Sequence, residues 1–410
     1  MGYLRRRLVT AALTANALRP LPGFRAGLFA FVPGWLAGEL APHLLAATAV
    51  DTGVALARRR ATWPGLALAA GTVAGLGYLI DQSRRVETVV STVLTEGLGS
   101  GYYERLDPAP PPDLPTAWQT LVNPFRPDEA GVRVDRDLRY SDAGARGLLD
   151  VYRPAGVELA DAPVLLQIHG GGWILGRKDE QGVPLMRHMA RRGWVVVAIN
   201  YRLAPRDYFP AQIIDVKRAI AWIKEHIAEY GGDPGYLAIT GGSAGGQLTA
   251  LAALTPGDPA YQPGFEDADT SVQVAVPHYG VYDLAASTGL HSAEQLRDDY
   301  FARRVAGVGW AEDPALFEAA SPILRITPDA PDFFVIHGLR DTMVPVEQAR
   351  LFVERLRAVS RRTVVYAELP GAQHAFDIFP SIRSVQVVRA IDHYLTWHHA
   401  TRADRAGARA

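Results

Sequence analysis

A serine between glycines constrains the fold of this chain more than any other feature. Ser243 lies in a Gly-Gly-Ser-Ala-Gly run at residues 241–245. A side chain two residues before or after the serine would clash in a sharp strand-to-helix turn, so the glycines predict such a turn. A second run, His-Gly-Gly-Gly-Trp at residues 169–173, lies upstream and also follows a strand-like stretch. The two motifs, in this order, predict an α/β sheet with a reactive serine at its edge.

Composition limits the chemistry that the chain can carry. The chain has 410 residues, enough for one large α/β domain with an appendage, and a formal net charge of −1. A balanced charge gives no overall basic field, so we expect no nucleic-acid partner. The absence of cysteine excludes disulfides, a thiol nucleophile and thiolate metal sites. No run is typical of a phosphate-binding loop or a metal-ligand cluster, so neither a cofactor nor a metal is expected.

A proline cluster divides the chain. Residues 107–115 are rich in proline, and such a sequence favours a stiff, extended linker. We therefore predict a helical, apolar N-terminal region at residues 1–106 and a Pro-rich linker at residues 107–131. An α/β domain is predicted at residues 132–400, followed by a disordered tail at residues 401–410.

The N-terminal region contains two apolar stretches. Residues 62–80 carry no charge, and their length is near the lower limit for a helix that spans a bilayer. Residues 28–50 are also apolar but contain Glu39, and one acidic group at mid-helix costs roughly 2.5–3.5 kcal/mol for insertion. Two interpretations stay open. The protein is associated with a membrane or the cell envelope, on a side that the sequence does not define, or it is cytoplasmic and these helices pack on the α/β domain.

Beyond the linker, short β-rich runs alternate with helical ones. This alternation is typical of a mostly parallel central sheet flanked by helices. Active sites of such sheets gather at the C-terminal ends of the strands, where both glycine motifs fall. The long connection at residues 284–326 is expected to add helices over the site, and the N-terminal region to add to that cover. The predicted strands are 148–152, 164–168, 194–200, 236–240, 272–276, 333–337 and 363–369, and the predicted helices are 213–230, 244–254, 346–360 and 382–398.

Three side chains are predicted to form a catalytic triad. Ester or amide cleavage by serine needs a base that accepts the hydroxyl proton and an acid that orients the base. On sheets of this kind the chain order is serine, acid, histidine, and Asp341 and His374 each follow one of the last two predicted strands. We predict Ser243 as the nucleophile, His374 as general base and then general acid, and Asp341 as the residue that orients the imidazole. Asp283 competes with Asp341, but its position favours a turn or cap.

The backbone around the two motifs is predicted to complete the site. The N–H groups of Gly171, Gly172 and Ala244 are the expected donors of an oxyanion hole. His169 is expected to hold the glycine loop through a hydrogen bond to the backbone. Trp173 has two interpretations: it binds substrate as part of the pocket wall, or it packs at the end of a strand.

From residue 132 to residue 398 the chain resembles the α/β-hydrolase carboxylesterases and lipases of the hormone-sensitive-lipase-like group. The resemblance is carried by HGGGW at 169–173, NYRLAP at 200–205 and GGSAGG at 241–246. With its apolar N-terminal extension, the whole chain is similar to esterases of mycobacteria and other actinobacteria. After Asp341 the sequence Thr-Met-Val-Pro departs from the family's Asp-Pro-Leu and looks more like feruloyl-esterase-like and oligopeptidase-like branches. The resemblance implies no metal or organic cofactor, and short- to medium-chain carboxylic esters or lipids as small-molecule substrates.

Other functions would use the same residues. An acyltransferase or an amide or formamide hydrolase would share the triad, because water and an alcohol attack the same acyl-enzyme. A binding protein on a hydrolase scaffold would keep the pocket, but such proteins usually lack the base, whereas this chain has His374. The sequence does not define the oligomeric state.

Overall fold

The computed structural model describes residues 2–21, 24–106, 121–126 and 129–402. In these residues the chain forms an eight-stranded sheet with apolar cores on both faces. The strands are β1 (Val132–Arg139), β2 (Leu148–Pro154), β3 (Ala162–Ile168), β4 (Val195–Ile199), β5 (Gly232–Gly242), β6 (Val274–His278), β7 (Asp332–Gly338) and β8 (Val364–Leu369). The helices are α1 (Tyr3–Leu18), α2 (Phe24–Glu39), α3 (Ala41–Ala57), α4 (Trp63–Leu98), α5 (Val183–Arg191), α6 (Ala211–His226), α7 (Ala244–Leu254), α8 (His291–Gln295), α9 (Pro314–Ala319), α10 (Glu347–Val359) and α11 (Ile382–Ala400).

The sheet places the site loops along one edge. Its strand order is β1-β2-β4-β3-β5-β6-β7-β8. β2 runs antiparallel to both neighbours, whereas the strands from β4 to β8 in that order are parallel. β4 and β7 are buried at every residue, as expected when helices cover both faces of a parallel sheet. The loops that carry Ser243, Asp341 and His374 therefore all leave the C-terminal edge.

The predicted architecture is confirmed, including every predicted strand and helix, with shifts at their ends. The segment 284–326 contains α8, a π-helix at Leu296–Ala306, α9 and a 3₁₀ turn at Pro322–Arg325, as expected. Two elements escaped the sequence analysis. β1 is a charged edge strand with several exposed residues, so it lacks a clear apolar alternation. α5 has only nine residues, too few for a firm helical period.

The C-terminal half of α4 belongs to the core of the α/β domain. Val86, Val90 and Leu94 recur every four residues along one face of the helix. Their exposure is 0–5%, and they pack in the same cluster as Val365 of β8 and Tyr394 of α11. In the N-terminal half of α4, Leu76 and Leu79 pack in a separate cluster with Ala17 of α1 and Ala41 of α3. One continuous helix therefore joins the N-terminal helices to the sheet.

A buried ion pair fixes α2 on the α/β domain. Glu39, the last residue of α2, pairs with Arg383 of α11 and accepts a hydrogen bond from the Ser381 hydroxyl at 2.6 Å. The side chains of Glu39 and Arg383 are 1% and 0% exposed. From the sequence alone, the only effect expected of Glu39 is an energetic cost of inserting its helix into a bilayer. The structure gives it a partner 344 residues further along the chain.

The N-terminal helices differ in whether they are long and apolar enough to cross a membrane. Within the described residues, α4 is the single helix that is long and apolar enough to cross a membrane. α2 and α3 reach the length of a span only as a pair, and the chain bends by 78° between them. The apolar stretch at residues 28–50 is therefore not a straight span.

The predicted division of the chain falls partly beyond the described structure. Residues 107–120 and 127–128 of the predicted linker, and residues 403–410 of the predicted tail, lie outside the described residues. β1 begins at Val132 and α11 ends at Ala400. The division at residues 106, 131 and 400 stays a prediction.

Candidate active site

Ser243 lies on a sharp turn between β5 and α7. Its φ of 59° and ψ of −121° are sparsely populated by residues other than glycine. A Cβ on Gly245 would lie 2.3 Å from the carbonyl oxygen of Ile168, and one on Gly241 would lie 2.6 Å from the same oxygen. The flanking glycines are needed because the turn packs directly against the end of β3. The predicted strand-to-helix turn is confirmed.

The structure brings the three predicted side chains together. Oγ of Ser243 lies 2.8 Å from Nε2 of His374, and Nδ1 of the same imidazole lies 2.7 Å from Oδ2 of Asp341. Both are hydrogen-bond distances, and the first is within the reach required of a base that removes the serine proton. His374 and Asp341 are 5% and 8% exposed. One imidazole nitrogen can therefore accept the hydroxyl proton while the other donates to the carboxylate.

The loop around Asp341 keeps its carboxylate ionised. Oδ1 of Asp341 accepts hydrogen bonds from the N–H groups of Met343 and Val344, each at 2.8 Å. Burial acts to raise the pKa of Asp341, but its electrostatic interaction with His374 and the hydrogen bonds from His337 and His374 hold it well below its ordinary value. A charged Asp341 at neutral pH is what orientation of the imidazole requires.

The alternative acid has a structural task. The carboxylate of Asp283 accepts hydrogen bonds from the N–H groups of Ser287 and Thr288, each at 2.9 Å, and from their hydroxyl groups. It closes a turn, as expected.

His337 is fully buried at the end of β7, where its Nε2 lies 2.8 Å from the carbonyl oxygen of Val344 and 3.3 Å from Asp341. It supports the loop of the acid.

The glycine loop passes beside the nucleophile. A Cβ on Gly170 would lie 3.2 Å from Cβ of Ser243. His169 holds this loop, as expected: its Nδ1 lies 2.7 Å from the carbonyl oxygen of Gly170, and its ring stacks on Tyr201 with centroids 4.2 Å apart. Burial lowers the pKa of His169 to about 4, so the ring is neutral at pH 7 and Nδ1 donates to that carbonyl. The loop is therefore fixed independently of a bound substrate.

The expected oxyanion donors lie on this loop and on the first residue of α7. Gly171 and Gly172 have φ values of 113° and 59°, and the Tyr300 hydroxyl donates to the carbonyl oxygen of Gly172 at 3.1 Å. Ala244 begins α7, where the first N–H groups have no partner within the helix and the helix dipole favours negative charge. Their action on a bound oxyanion stays a prediction.

Trp173 lies in the core. Its side chain is 2% exposed, its indole N–H donates to Oε1 of Gln247 at 3.0 Å, and its ring meets Phe301 edge to face with centroids 5.4 Å apart. The indole has no free polar edge to offer a ligand. This position favours the packing interpretation, and substrate binding by Trp173 stays an untested prediction.

Two aromatic rings that the sequence did not indicate contact the imidazole of His374. Phe31 of α2 meets it edge to face with centroids 5.7 Å apart, and Tyr279, just after β6, lies 4.6 Å from it. Phe31 also stacks on Trp35, which in turn contacts Phe379. The pattern of α2 predicted an apolar helix only, so no signal in the sequence marked these contacts.

Hydrogen bonds tie α2, the acid loop and the histidine loop together. Oε1 of Gln373 accepts the N–H groups of Thr342 at 2.7 Å and of His374 at 2.9 Å. The hydroxyl of Thr342 donates to the carbonyl oxygen of Gly27 in α2 at 3.2 Å. The N-terminal region therefore contributes directly to the wall of the site.

A cleft of about 490 Å³ opens beside the acid loop. Both the N-terminal region and the α/β domain line it, through Leu18, Arg19, Leu21, His291, Gln295 and Arg340. Across the part of the chain that the structure describes, no group of three or more His, Asp and Glu side chains is arranged to hold a metal ion. The chemistry available at the site is that of a serine, an imidazole, a carboxylate and backbone amides.

A mostly parallel sheet with a serine on the tight turn between β5 and α7 defines an α/β hydrolase. The family model for BD-FAE matches residues 149–356. Over 416 residues the chain is 43% identical to the probable carboxylic ester hydrolase LipM of Mycobacterium tuberculosis, a match that covers 98% of this chain and 94% of the relative. It is 49% identical over 260 residues to the esterase LipQ of the same organism, covering 63% of this chain and 61% of the relative.

Solved structures agree with this relationship. The butyrate-bound esterase Est2 of Thermogutta terrifontis superposes with a TM-score of 0.53 at 26% identity, covering 68% of this chain and 96% of the esterase. The chain therefore belongs to the BD-FAE family of α/β hydrolases. The protein is a carboxylic ester hydrolase that acts on a small-molecule ester, and the expected resemblance to mycobacterial esterases is confirmed.

Proposed function

We propose that the protein is a serine carboxylesterase that works through an acyl-enzyme, with Ser243, His374 and Asp341 as its triad. The continuous hydrogen-bonded chain from serine to imidazole to carboxylate, at 2.8 and 2.7 Å, carries this proposal. The geometry satisfies the requirements of a nucleophile, a base and an orienting acid in one arrangement.

The reaction proceeds in two stages, acylation of Ser243 and hydrolysis of the acyl-enzyme. His374 takes the proton of Ser243 as Oγ bonds to the ester carbonyl carbon, and the oxyanion accepts hydrogen bonds from Gly171, Gly172 and Ala244, each worth on the order of 3 kcal/mol. The imidazolium returns the proton to the leaving alcohol, and the C–O bond of the ester breaks. Water then attacks the acyl-enzyme with His374 again as base, which releases the carboxylic acid and restores Ser243.

We infer short- to medium-chain acyl groups as the preferred substrates. The similar Est2 structure is butyrate-bound, and Phe31 of α2, itself stacked on Trp35, contacts His374 and narrows the space beside it. A series of p-nitrophenyl esters from acetate to palmitate tests this inference. We expect kcat/KM to be highest for esters whose acyl chains have about four to eight carbons. A maximum at palmitate would contradict it.

A burst experiment tests the triad. With p-nitrophenyl butyrate the parent protein is expected to release one equivalent of nitrophenol faster than the steady state, because acylation by this activated ester is faster than deacylation. Ser243→Ala is expected to abolish the burst and the steady state, whereas Ser91→Ala, on the exposed face of α4, keeps both. Full activity of Ser243→Ala would end the proposal. Adding alcohols and measuring ester products separates a hydrolase from an acyltransferase.

We also propose that the N-terminal helices attach the enzyme to a lipid surface without crossing it. Most of the large apolar side chains that are exposed in the described structure lie within residues 4–78, and Trp63, with its amphipathic ring, suits a membrane interface. The ion pair of Glu39 with Arg383 and the burial of Val86 keep α2 and α4 on the α/β domain. The most exposed of these apolar side chains are Leu21, Phe29, Val50, Leu56 and Trp63.

Vesicle co-sedimentation tests this attachment. The double variant Phe29→Ser/Trp63→Ser removes side chains that are 85% and 83% exposed, and Val157→Ser/Leu324→Ser, at 57% and 45%, is the matched control on the α/β domain. The parent and the control are expected to pellet with phosphatidylcholine–phosphatidylglycerol vesicles, and the first double variant to stay in solution. Equal binding of both variants would contradict the proposal, and resistance to carbonate extraction from cell membranes would indicate a span instead.

A further inference from the structure

A second carboxylate lies close to the catalytic histidine and has no part in the triad. Asp377 follows His374 by three residues, in the loop between β8 and α11. Its Oδ2 lies 2.6 Å from Nδ1 of His278, and its Oδ1 accepts a hydrogen bond from the hydroxyl of Tyr279. The side chain of Asp377 is 12% exposed and that of His278 is 4% exposed. Hydrogen bonds to a charged, buried group are stronger than neutral ones, so Asp377 fixes both residues at the end of β6.

Tyr279 connects this carboxylate to the base. Its hydroxyl binds Asp377, while its ring lies 4.6 Å from the imidazole of His374 at an interplanar angle of 59°. Its backbone has a φ of 35°, which is rare outside glycine and is found where surrounding structure enforces it. The N–H of Tyr279 donates to the carbonyl oxygen of Ile336 at 2.8 Å, which anchors the strained residue to β7.

The same cluster reaches the nucleophile. The carbonyl oxygen of His278 accepts the N–H of Ser243 at 3.0 Å. A Cβ on Gly242 would lie 2.5 Å from the Tyr279 hydroxyl. The G-x-S-x-G pattern leaves position 242 unspecified, and the phenol explains why this chain has glycine there. Asp377 is thus bonded to one residue that holds Ser243 and to another that contacts His374.

We propose that Asp377 and Tyr279 are positioning residues of the catalytic histidine: the carboxylate fixes the phenol, and the phenol ring holds the imidazole in line with Ser243 and Asp341. This inference rests on the proposed triad. Burial acts to raise the pKa of Asp377, but the hydrogen bonds from His278 and Tyr279 keep it below its ordinary value. The carboxylate is therefore an anion that accepts both bonds throughout the working pH range.

Two conservative variants remove one bond each without emptying the site. Asp377→Asn keeps the volume and loses the charge, and Tyr279→Phe keeps the ring and loses the hydroxyl. Because a small misplacement of a catalytic group costs up to about 100-fold in rate, each variant is expected to lower kcat for p-nitrophenyl butyrate by roughly 10-fold. KM is expected to stay within about two-fold of the parent value, since the pair acts on orientation and does not bind the ester. The double variant is expected to lose no more than the worse single variant, because Tyr279→Phe already removes the hydrogen bond through which Asp377 acts on the ring.

The control is Asp392→Asn in α11. Asp392 is also a buried carboxylate bonded to a histidine, with Nε2 of His188 at 2.8 Å. We expect its substitution to lower Tm while kcat stays at the parent value. Burst amplitude counts the active sites in every sample, so loss of folded protein is separated from loss of rate.

The outcomes separate the inference from the proposal on which it rests. Parental kcat per active site in both Asp377→Asn and Tyr279→Phe, with an inactive Ser243→Ala, would overturn the positioning role alone. Activity in Ser243→Ala would overturn the triad itself. If Asp377→Asn fails to fold, Tyr279→Phe, which lacks a single oxygen, decides the question by the same kcat measurement.

Discussion

Replacement of Glu39 by leucine is expected to destabilise the whole protein, because it leaves a buried guanidinium without its anion. Arg383 is 0% exposed, and its other side-chain hydrogen bond, to the carbonyl oxygen of Pro370, is long at 3.3 Å. Removal of one partner from a buried ion pair costs about 3–5 kcal/mol. The entropy of unfolding is about 2.1 cal/mol/K per residue, or roughly 0.9 kcal/mol/K for this chain, so Tm is expected to fall by about 3–6 °C.

Urea unfolding at pH 7 provides the assay, with Glu39→Leu, Arg383→Met and the combined variant beside the parent. The combined variant is expected to recover most of the lost free energy of unfolding, because an apolar pair of similar volume replaces the ions. Asp81→Ala is the control, since the pair of Asp81 with Arg85 is half-exposed and contributes little. A single variant within 1 kcal/mol of the parent, or a combined variant no more stable than Glu39→Leu, would refute the reasoning.

Other predictions concern the site. Phe31→Ala is expected to lower kcat/KM for p-nitrophenyl butyrate by about 2- to 10-fold, because an edge-to-face aromatic contact is worth about 0.5–1.5 kcal/mol; an unchanged value would show that Phe31 does not support His374. Asp341→Asn is expected to lower kcat by about 10⁴-fold, since an amide favours the wrong imidazole tautomer. A loss of kcat below about 10-fold would contradict the role of Asp341 in orienting His374. Because the pKa of Asp341 is held below its ordinary value, its ionisation stabilises the fold above about pH 4, and that contribution is lost as pH falls through the lowered pKa. Urea unfolding from pH 6 to pH 3 is therefore expected to show a steeper loss of stability on acidification for the parent than for Asp341→Asn, and parallel curves would contradict this.

The part of the site that the sequence could predict is the part with local steric requirements. Gly241 and Gly245 must be glycine because the turn touches the end of β3, and that need is visible within five residues of sequence. Asp341 and His374 could be found because parallel strands deliver their following loops to one edge. The alternation of strand-like and helical runs likewise predicts the mostly parallel sheet on which these loops lie.

Contacts between distant segments could not be predicted in this way. Phe31 and Glu39 lie in an apolar helix whose composition fits a membrane or a protein core equally well, and their partners His374 and Arg383 are more than 300 residues away. Trp173 is the last residue of a motif that borders the site, yet its indole lies in the core, where Gln247 accepts its N–H. Side-chain direction at a strand end is set by such neighbours and not by the local pattern.

The covalent role of Ser243 is tested most directly by trapping the acyl-enzyme. The protein is mixed with p-nitrophenyl butyrate, quenched with acid during the burst and examined by intact mass and peptide mass spectrometry. We expect the mass of one butyryl group on the peptide that contains Ser243, and none on Ser243→Ala. A butyryl group on a different residue, or turnover by Ser243→Ala at the parent rate, would contradict the proposed mechanism.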